Sequence, residues 1–172
     1  MPSQIRAPRK IGLLTPIFKT VNRTQQFATF HLDGLFLGVD VLKVQEVIRY
    51  QEMTPVPIAP PMVEGLINLR GQIITAIDLR RRLGLKERAA DELPMNVVIR
   101  SDDGAVSLLV DEIGDVIEVD QHNFEPVPET VVGFSKDLIN GVYKLDKQLL
   151  LILDTEKASN LPATYKSSKS NN

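Results

Sequence analysis

The sequence predicts an all-β fold, two small barrels of about five strands each that share one core and carry short helices. Three observations predict it. Short apolar runs alternate with turn signals along the chain, as in sandwiches and barrels. Three pairs of runs are joined by loops with hairpin chemistry. Helical periodicity never extends beyond a few residues, which excludes a bundle or a doubly wound sheet.

In chain order, Gln26–Leu32 and Leu35–Val39 flank Asp33-Gly34, a two-residue hairpin signal in which both central residues take positive φ. Asp40 is a candidate N-cap for a helix over Val41–Val47, where Val41, Val44 and Ile48 share one face. Gln51–Pro61 holds Pro55, Pro57, Pro60 and Pro61 and reads as a loop or an edge, because proline donates nothing to a ladder. Gln72–Ile77 is a strand. Asp78 caps a helix over Leu79–Leu83, which Gly84 ends from the C′ position. Lys86–Leu93 is a charged linker closed by Pro94. Asn96–Arg100 and Ala105–Val110 form a second hairpin around Asp102-Asp103-Gly104, and Asp115–Val119 is another strand. Leu138–Leu145 and Gln148–Leu153 flank Asp146-Lys147, and Asp154 starts a last helix. The reading is one domain over 25–158, with a first barrel at about 36–86, a second at about 93–145, and both ends of the domain completing them.

Composition narrows the function. The 172 residues include no cysteine and two histidines, His31 and His122, which excludes disulfides, thiolate nucleophiles and cysteine metal sites. No metal site or cofactor is expected. All 22 acidic residues fall within 25–158, against 13 basic ones, so this region carries −9. That sign repels phosphate backbones and argues against nucleic-acid binding. Residues 1–24 (Arg6, Arg9, Lys10, Lys19, Arg23) and 159–172 (Lys166, Lys169) are basic and polar tails. No window approaches the roughly 18 apolar residues of a membrane span, and Ile11–Phe18 is too short and broken for a signal peptide, so the chain reads as cytosolic. No catalytic set assembles. Asp102-Asp103 is a turn pair, the side chains of Asp111-Glu112 point to opposite faces, and no glycine-rich phosphate loop exists.

The run Gly65-Leu66-Ile67-Asn68-Leu69-Arg70-Gly71, followed by Gln72–Asp78 and Leu79-Arg80-Arg81-Arg82-Leu83-Gly84, resembles the CheW family, the coupling proteins of bacterial chemotaxis arrays. Val39–Val47, Leu109–Ile113 and Leu149–Lys157 resemble the family in the same order. The resemblance implies two five-stranded Src-homology-3-like barrels acting as a non-catalytic adaptor. One surface of such an adaptor binds the regulatory domain of the histidine kinase CheA, and another binds the cytoplasmic tip of a chemoreceptor, which places it at receptor arrays. Leu37 before Gly38, where the family often has an aromatic, and Thr75-Ala76, where it often has a proline, depart from the pattern and bear on which receptor and kinase are recognised.

Carried over by matching motifs, the receptor-contacting positions are Val41, Val44, Glu46, Gly65, Arg70 and Ile73. The spacing of the valines alone reads as core packing. Gly65 suits a close backbone approach or a positive φ. Arg70, beside Gly71 in a tight turn, is either a solvated charge, a direct contact or a partner of Glu46, and the pair is expected. The kinase surface has no motif of its own, and Phe134 and Leu138 are its only candidates. The alternative function, an oligonucleotide-binding barrel, would need aromatics along a basic groove, and only 5% of residues are aromatic.

Overall fold

The structure, a computed structural model, describes residues 23–162, so the two tail readings lie almost wholly outside the described residues. Among the described residues, eleven strands form two mixed sheets. One sheet contains β1 (Thr24–Leu32), β2 (Leu35–Asp40), β8 (Glu112–Asp120), β9 (Phe124–Glu125), β10 (Ile139–Lys144) and β11 (Leu149–Leu153), in the order β8-β1-β2-β11-β10-β9. The other contains β3 (Val44–Ile48), β4 (Val63–Leu69), β5 (Gln72–Asp78), β6 (Met95–Ser101) and β7 (Gly104–Val110), in the order β3-β6-β7-β5-β4. The described residues also form two short α-helices, α1 (Leu79–Leu83) and α2 (Thr155–Ser159).

Local chemistry explains most of these elements. Asp33 and Gly34 both take positive φ (48° and 80°), giving the expected tight hairpin between β1 and β2. Asp78 accepts a hydrogen bond from the Arg81 N–H, and Gly84 ends α1 in the left-handed region at φ 75°. The Asp154 side chain caps α2 by accepting from the Lys157 N–H.

Three readings are corrected. Asp40 caps one 3₁₀ turn, Val41–Lys43, and the chain then enters β3 instead of continuing as a helix to Val47. Val44, Val47 and Ile48 are β-branched and stiff at χ1, so pairing with β6 wins, and a bulge between Val44 and Glu46 puts Val44 and Val47 on one face and Ile48 on the other. The run Val63–Leu69, read only through its turn, is a full strand, and the two-residue β9 was not foreseen. Finally, the strand pairing divides the chain at places other than 36–86 and 93–145. The linker at 86–93 does not separate the units, because β6 and β7 join β3, β4 and β5 in the five-stranded sheet through the parallel β5–β7 pair. The β1–β2 hairpin joins the later strands through the parallel β11–β2 pair. Neither pairing order closes on itself.

The core has three parts. Phe30, Leu32, Leu37 and Val39 from one sheet and Ile77, Val97, Ile99 and Leu108 from the other belong to one buried cluster that joins the units. Ile67, Ile74, Ala76, Val98 and Leu109 fill the interior of the five-stranded unit. Phe27, Tyr143, Leu150 and Ile152 fill that of the six-stranded unit. Consecutive residues therefore serve different cores: Val97 and Ile99 face the joint while Val98 faces inward. Each such fully buried Ile, Leu or Val stabilises by about 1.5–3 kcal/mol relative to exposure.

Candidate functional site

The site begins with a strained turn. Leu69 pairs with Gln72, so Arg70 and Gly71 alone connect β4 to β5, with φ of 52° and 86°. The left-handed region suits Gly71 but costs an arginine on the order of 1 kcal/mol. Two features hold it there. The Gly71 N–H donates to Asn68 Oδ1 at 2.9 Å, and the Arg70 guanidinium donates two parallel hydrogen bonds to Glu46, at 3.1 Å to Oε1 and 3.0 Å to Oε2. The expected pair is present. Glu46 lies on β3, one edge of the sheet, and Arg70 follows β4, the opposite edge, so the ion pair holds the sheet curled with its edges together. Inside the curl, Ile48 from β3 and Leu69 from β4 pack on the same interior cluster. The Glu46 side chain is 17% exposed and that of Arg70 77%, so the carboxylate is the anchor and the guanidinium the presented group.

Ile73 takes its position from strand alternation. It shares a face of β5 with Thr75 and Ile77, and Ile77 belongs to the cluster between the two units. Thr75 and Ile77 are covered there, whereas Ile73 stays 54% exposed. It is therefore the open end of the face that joins the sheets. On the other edge, Val47 pairs with Val97, another member of that cluster, and is itself 40% exposed. Val44 is half-buried against the same cluster, and Val41 is half-buried in the 3₁₀ turn. The seam is not sealed: apolar surface remains open on both β3 and β5.

Two exposed apolar residues of this region, Leu42 (80%) and Val47, were missed by the sequence reading. A helical register hides them, because it assigns only Val41, Val44 and Ile48 to one face. Gly65 behaves differently from the other carried-over positions. It is buried, its φ is not positive, and a Cβ there would stand 2.7 Å from the Thr54 carbonyl oxygen and 3.1 Å from Met53 Cβ. The close approach that needs glycine is made by the proline-rich loop of this chain, where Thr54 and Leu66 exchange two backbone hydrogen bonds. Of the two kinase-surface candidates, Leu138 is corrected to a core residue at 4% exposure, and Phe134 is half-buried against the same cluster.

A charged joint braces the two sheets, and sequence reasoning missed it. Asp111, between β7 and β8, accepts from Arg80 Nε (2.9 Å) and Nη2 (2.6 Å), Arg88 Nε (3.1 Å) and Nη2 (2.9 Å), and the Asp33 backbone N–H (2.7 Å). Asp33 belongs to the β1–β2 hairpin, Arg80 to α1 and Arg88 to the linker, so one carboxylate ties three segments. Arg88 also meets Asp78 at 3.2 Å, with both side chains 8% exposed. Burial works to raise the Asp111 pKa, but the hydrogen bonds from Arg80, the Asp33 N–H and Arg88 outweigh it and hold the carboxyl below its ordinary range. Glu112, its neighbour, is exposed, as alternation requires. Among the described residues no helix is long and apolar enough to cross a membrane, and no group of side chains could hold a metal ion.

This arrangement matches known proteins along almost all of its described length. The model of the CheW-like domain matches residues 26–162. The chain is 34% identical over 136 residues to the chemotaxis protein CheW of Treponema pallidum, covering 77% of this chain and 80% of that one. It is 34% identical over 131 residues to the chemotaxis protein CheW of Thermotoga maritima, covering 75% and 83%. Among solved structures, the scaffolding protein TtCheW of Thermoanaerobacter tengcongensis superposes with a TM-score of 0.73 at 27% identity, covering 83% of this chain and 92% of that one. With two curled mixed sheets about a shared core and relatives of this identity over most of their length, the chain belongs to the CheW-like domain family.

Proposed function

We propose that this protein is a non-catalytic adaptor of a chemotaxis or chemosensory-like array, coupling the cytoplasmic tip of a chemoreceptor to the regulatory domain of the histidine kinase CheA. The observation that carries this reading is the Glu46-anchored Arg70, held at the open end of the apolar face between the two sheets. A helical hairpin is recognised by apolar contact plus a few groups that set its register. Ile73 and Val47 offer the contact area. Arg70 offers donors that point away from Glu46, already fixed by a bidentate bond, so little rotamer entropy is lost on docking. Gly65 acts indirectly in this reading, by seating the proline-rich loop. The adaptor works at the cytoplasmic side of the inner membrane through its receptor, without inserting into the bilayer. Phe134 remains the candidate on the kinase side. An oligonucleotide-binding role is disfavoured by the −9 charge of residues 25–158.

The test is co-purification with a kinase and a receptor fragment, scoring whether kinase activity becomes receptor-dependent. Binding that survives moderate salt supports apolar docking, whereas a collapse with salt supports a phosphate-binding role. Arg70→Ala is expected to weaken receptor binding by about 30-fold, the effect of an interfacial hot spot of about 2 kcal/mol. Its melting temperature should move by no more than about 4 °C, since an exposed ion pair contributes about 1 kcal/mol at most. Unchanged receptor binding, or a large loss of stability, would overturn the role given to Arg70.

A further inference from the structure

Within the described residues the chain crosses between the two sheets twice, at Val41–Lys43 and at Asp111. The second crossing is braced by the Asp111 joint. The first is one 3₁₀ turn between β2 and β3 that holds Val41, leads into Val44 and presents Leu42 to solvent. Its closing bond runs from the Val44 N–H to Val41 O, so its place relative to the sheets is set from outside.

Two carboxylates set it. On the β2 side, Asp40 accepts the Leu42 N–H through Oδ1 and Gln25 Nε2 through Oδ2, both at 2.9 Å. On the other side stands Glu156 of α2. Its Oε1 lies 3.6 Å from Lys43 Nζ, and its Oε2 accepts the Asp102 N–H of the β6–β7 hairpin at 3.2 Å. Oε1 is closed off from solvent and accepts no hydrogen bond, so the Lys43 ammonium is its counter-charge. Glu156 also projects from a fixed base. Ala158 belongs to the cluster between the sheets, and the Asp154 N–H donates to Leu138 O at 2.8 Å. Arg82 of α1 donates to the carbonyl oxygens of Lys157 (2.8 Å) and Ala158 (3.3 Å). One carboxylate thus ties α2, the β6–β7 hairpin and the first crossing.

The geometry points to Glu156 as a positioning residue for the receptor face: through Lys43 it holds the Val41–Lys43 turn in its docking arrangement without touching the receptor itself. The assignment rests on the adaptor role proposed for the protein, in which Val41 and Val44 are contacts. A half-exposed pair contributes little to global stability, but a turn ordered before docking loses less freedom on binding. The signature is therefore a change in receptor affinity without a change in melting.

The parent chain, Lys43→Met, Glu156→Gln and the double variant are titrated with the soluble hairpin tip of a chemoreceptor and, separately, with the kinase regulatory domain. Glu156→Gln keeps an acceptor for the Asp102 N–H and removes the charge facing Lys43, whereas Lys43→Met keeps the stem and removes the ammonium. Each single variant should weaken receptor binding about three- to fivefold, the ceiling for such a pair, and the double variant no further. Kinase affinity should match the parent, melting should stay within about 2 °C, and the methyl resonances of Val41 and Leu42 should shift in the free single variants. Parental receptor affinity in Glu156→Gln, losses that add in the double variant, or an equal loss of kinase binding would overturn the proposal while the adaptor role stands. Added losses would make Lys43 a receptor contact in its own right. A parent chain that binds no receptor tip fails the adaptor role, and the positioning role falls with it.

Discussion

Asp111→Asn lowers the melting temperature by about 10 °C, a loss of about 3 kcal/mol for a chain of this size. The reason is the joint described above. Removing the charge leaves Arg80 and Arg88, whose side chains are 11% and 8% exposed, facing an amide that can satisfy only part of what they donate. The loss sits at the low end for a broken buried pair because Arg88 keeps Asp78 and Arg80 keeps Asp33. The adjacent Glu112→Gln is the control, exposed and expected to move the melt by less than about 2 °C. The sign of the pH dependence follows from the lowered Asp111 pKa. A carboxyl that is more acidic folded than unfolded contributes fully above its unfolded value of about 3.9, and that contribution fades as pH falls through the folded value. The gap between parent and variant should therefore be constant from neutral pH down to about 5 and narrow below about 4. Thermal melts across that range check both statements. A gap that widens in acid would mean that Asp111 is not the group responsible.

The same joint shows where a sequence stops being legible. Tight turns and caps are local chemistry, so Asp33-Gly34, Asp78 with Gly84, and Asp154 could each be assigned from neighbours alone. The Glu46–Arg70 pair was also legible, because a turn arginine seeks a carboxylate and the motifs place one within reach. Asp111 was not. Its partners come from residues 33, 80 and 88, and nothing in the local sequence brings them together before the parallel β5–β7 and β11–β2 pairs form. The same long-range pairing decides which strands share a sheet, which explains why a division at the linker fails. The Val41–Val47 segment failed for a different reason. Spacings of three and four put Val41, Val44 and Ile48 on one helix face, whereas in the bulged strand Val44 and Ile48 pack on opposite sides, and only the β-branched composition favours the strand.

Gly65→Ala is expected to cost about 2–3 kcal/mol, because the new methyl overpacks against backbone instead of a side chain that can swing aside. Its Cβ would stand 2.7 Å from Thr54 O and 3.1 Å from Thr54 C, so the loop must retreat. With it go the hydrogen bonds from the Thr54 N–H to Leu66 O (2.9 Å) and from the Leu66 N–H to Thr54 O (2.8 Å), which bridge this loop to β4. The melting temperature should fall by about 6–10 °C, and amide exchange at Thr54 and Leu66 should accelerate well beyond that at Ile67, whose ladder to Ile74 is untouched. The two readings of this glycine then separate. Seated under its own loop, it affects receptor binding only in step with stability, and the loss should shrink when the variant is assayed well below its melting point. A variant that melts like the parent, exchanges like the parent and still fails to bind receptor would make Gly65 a direct contact, with the loop displaced from it in the complex.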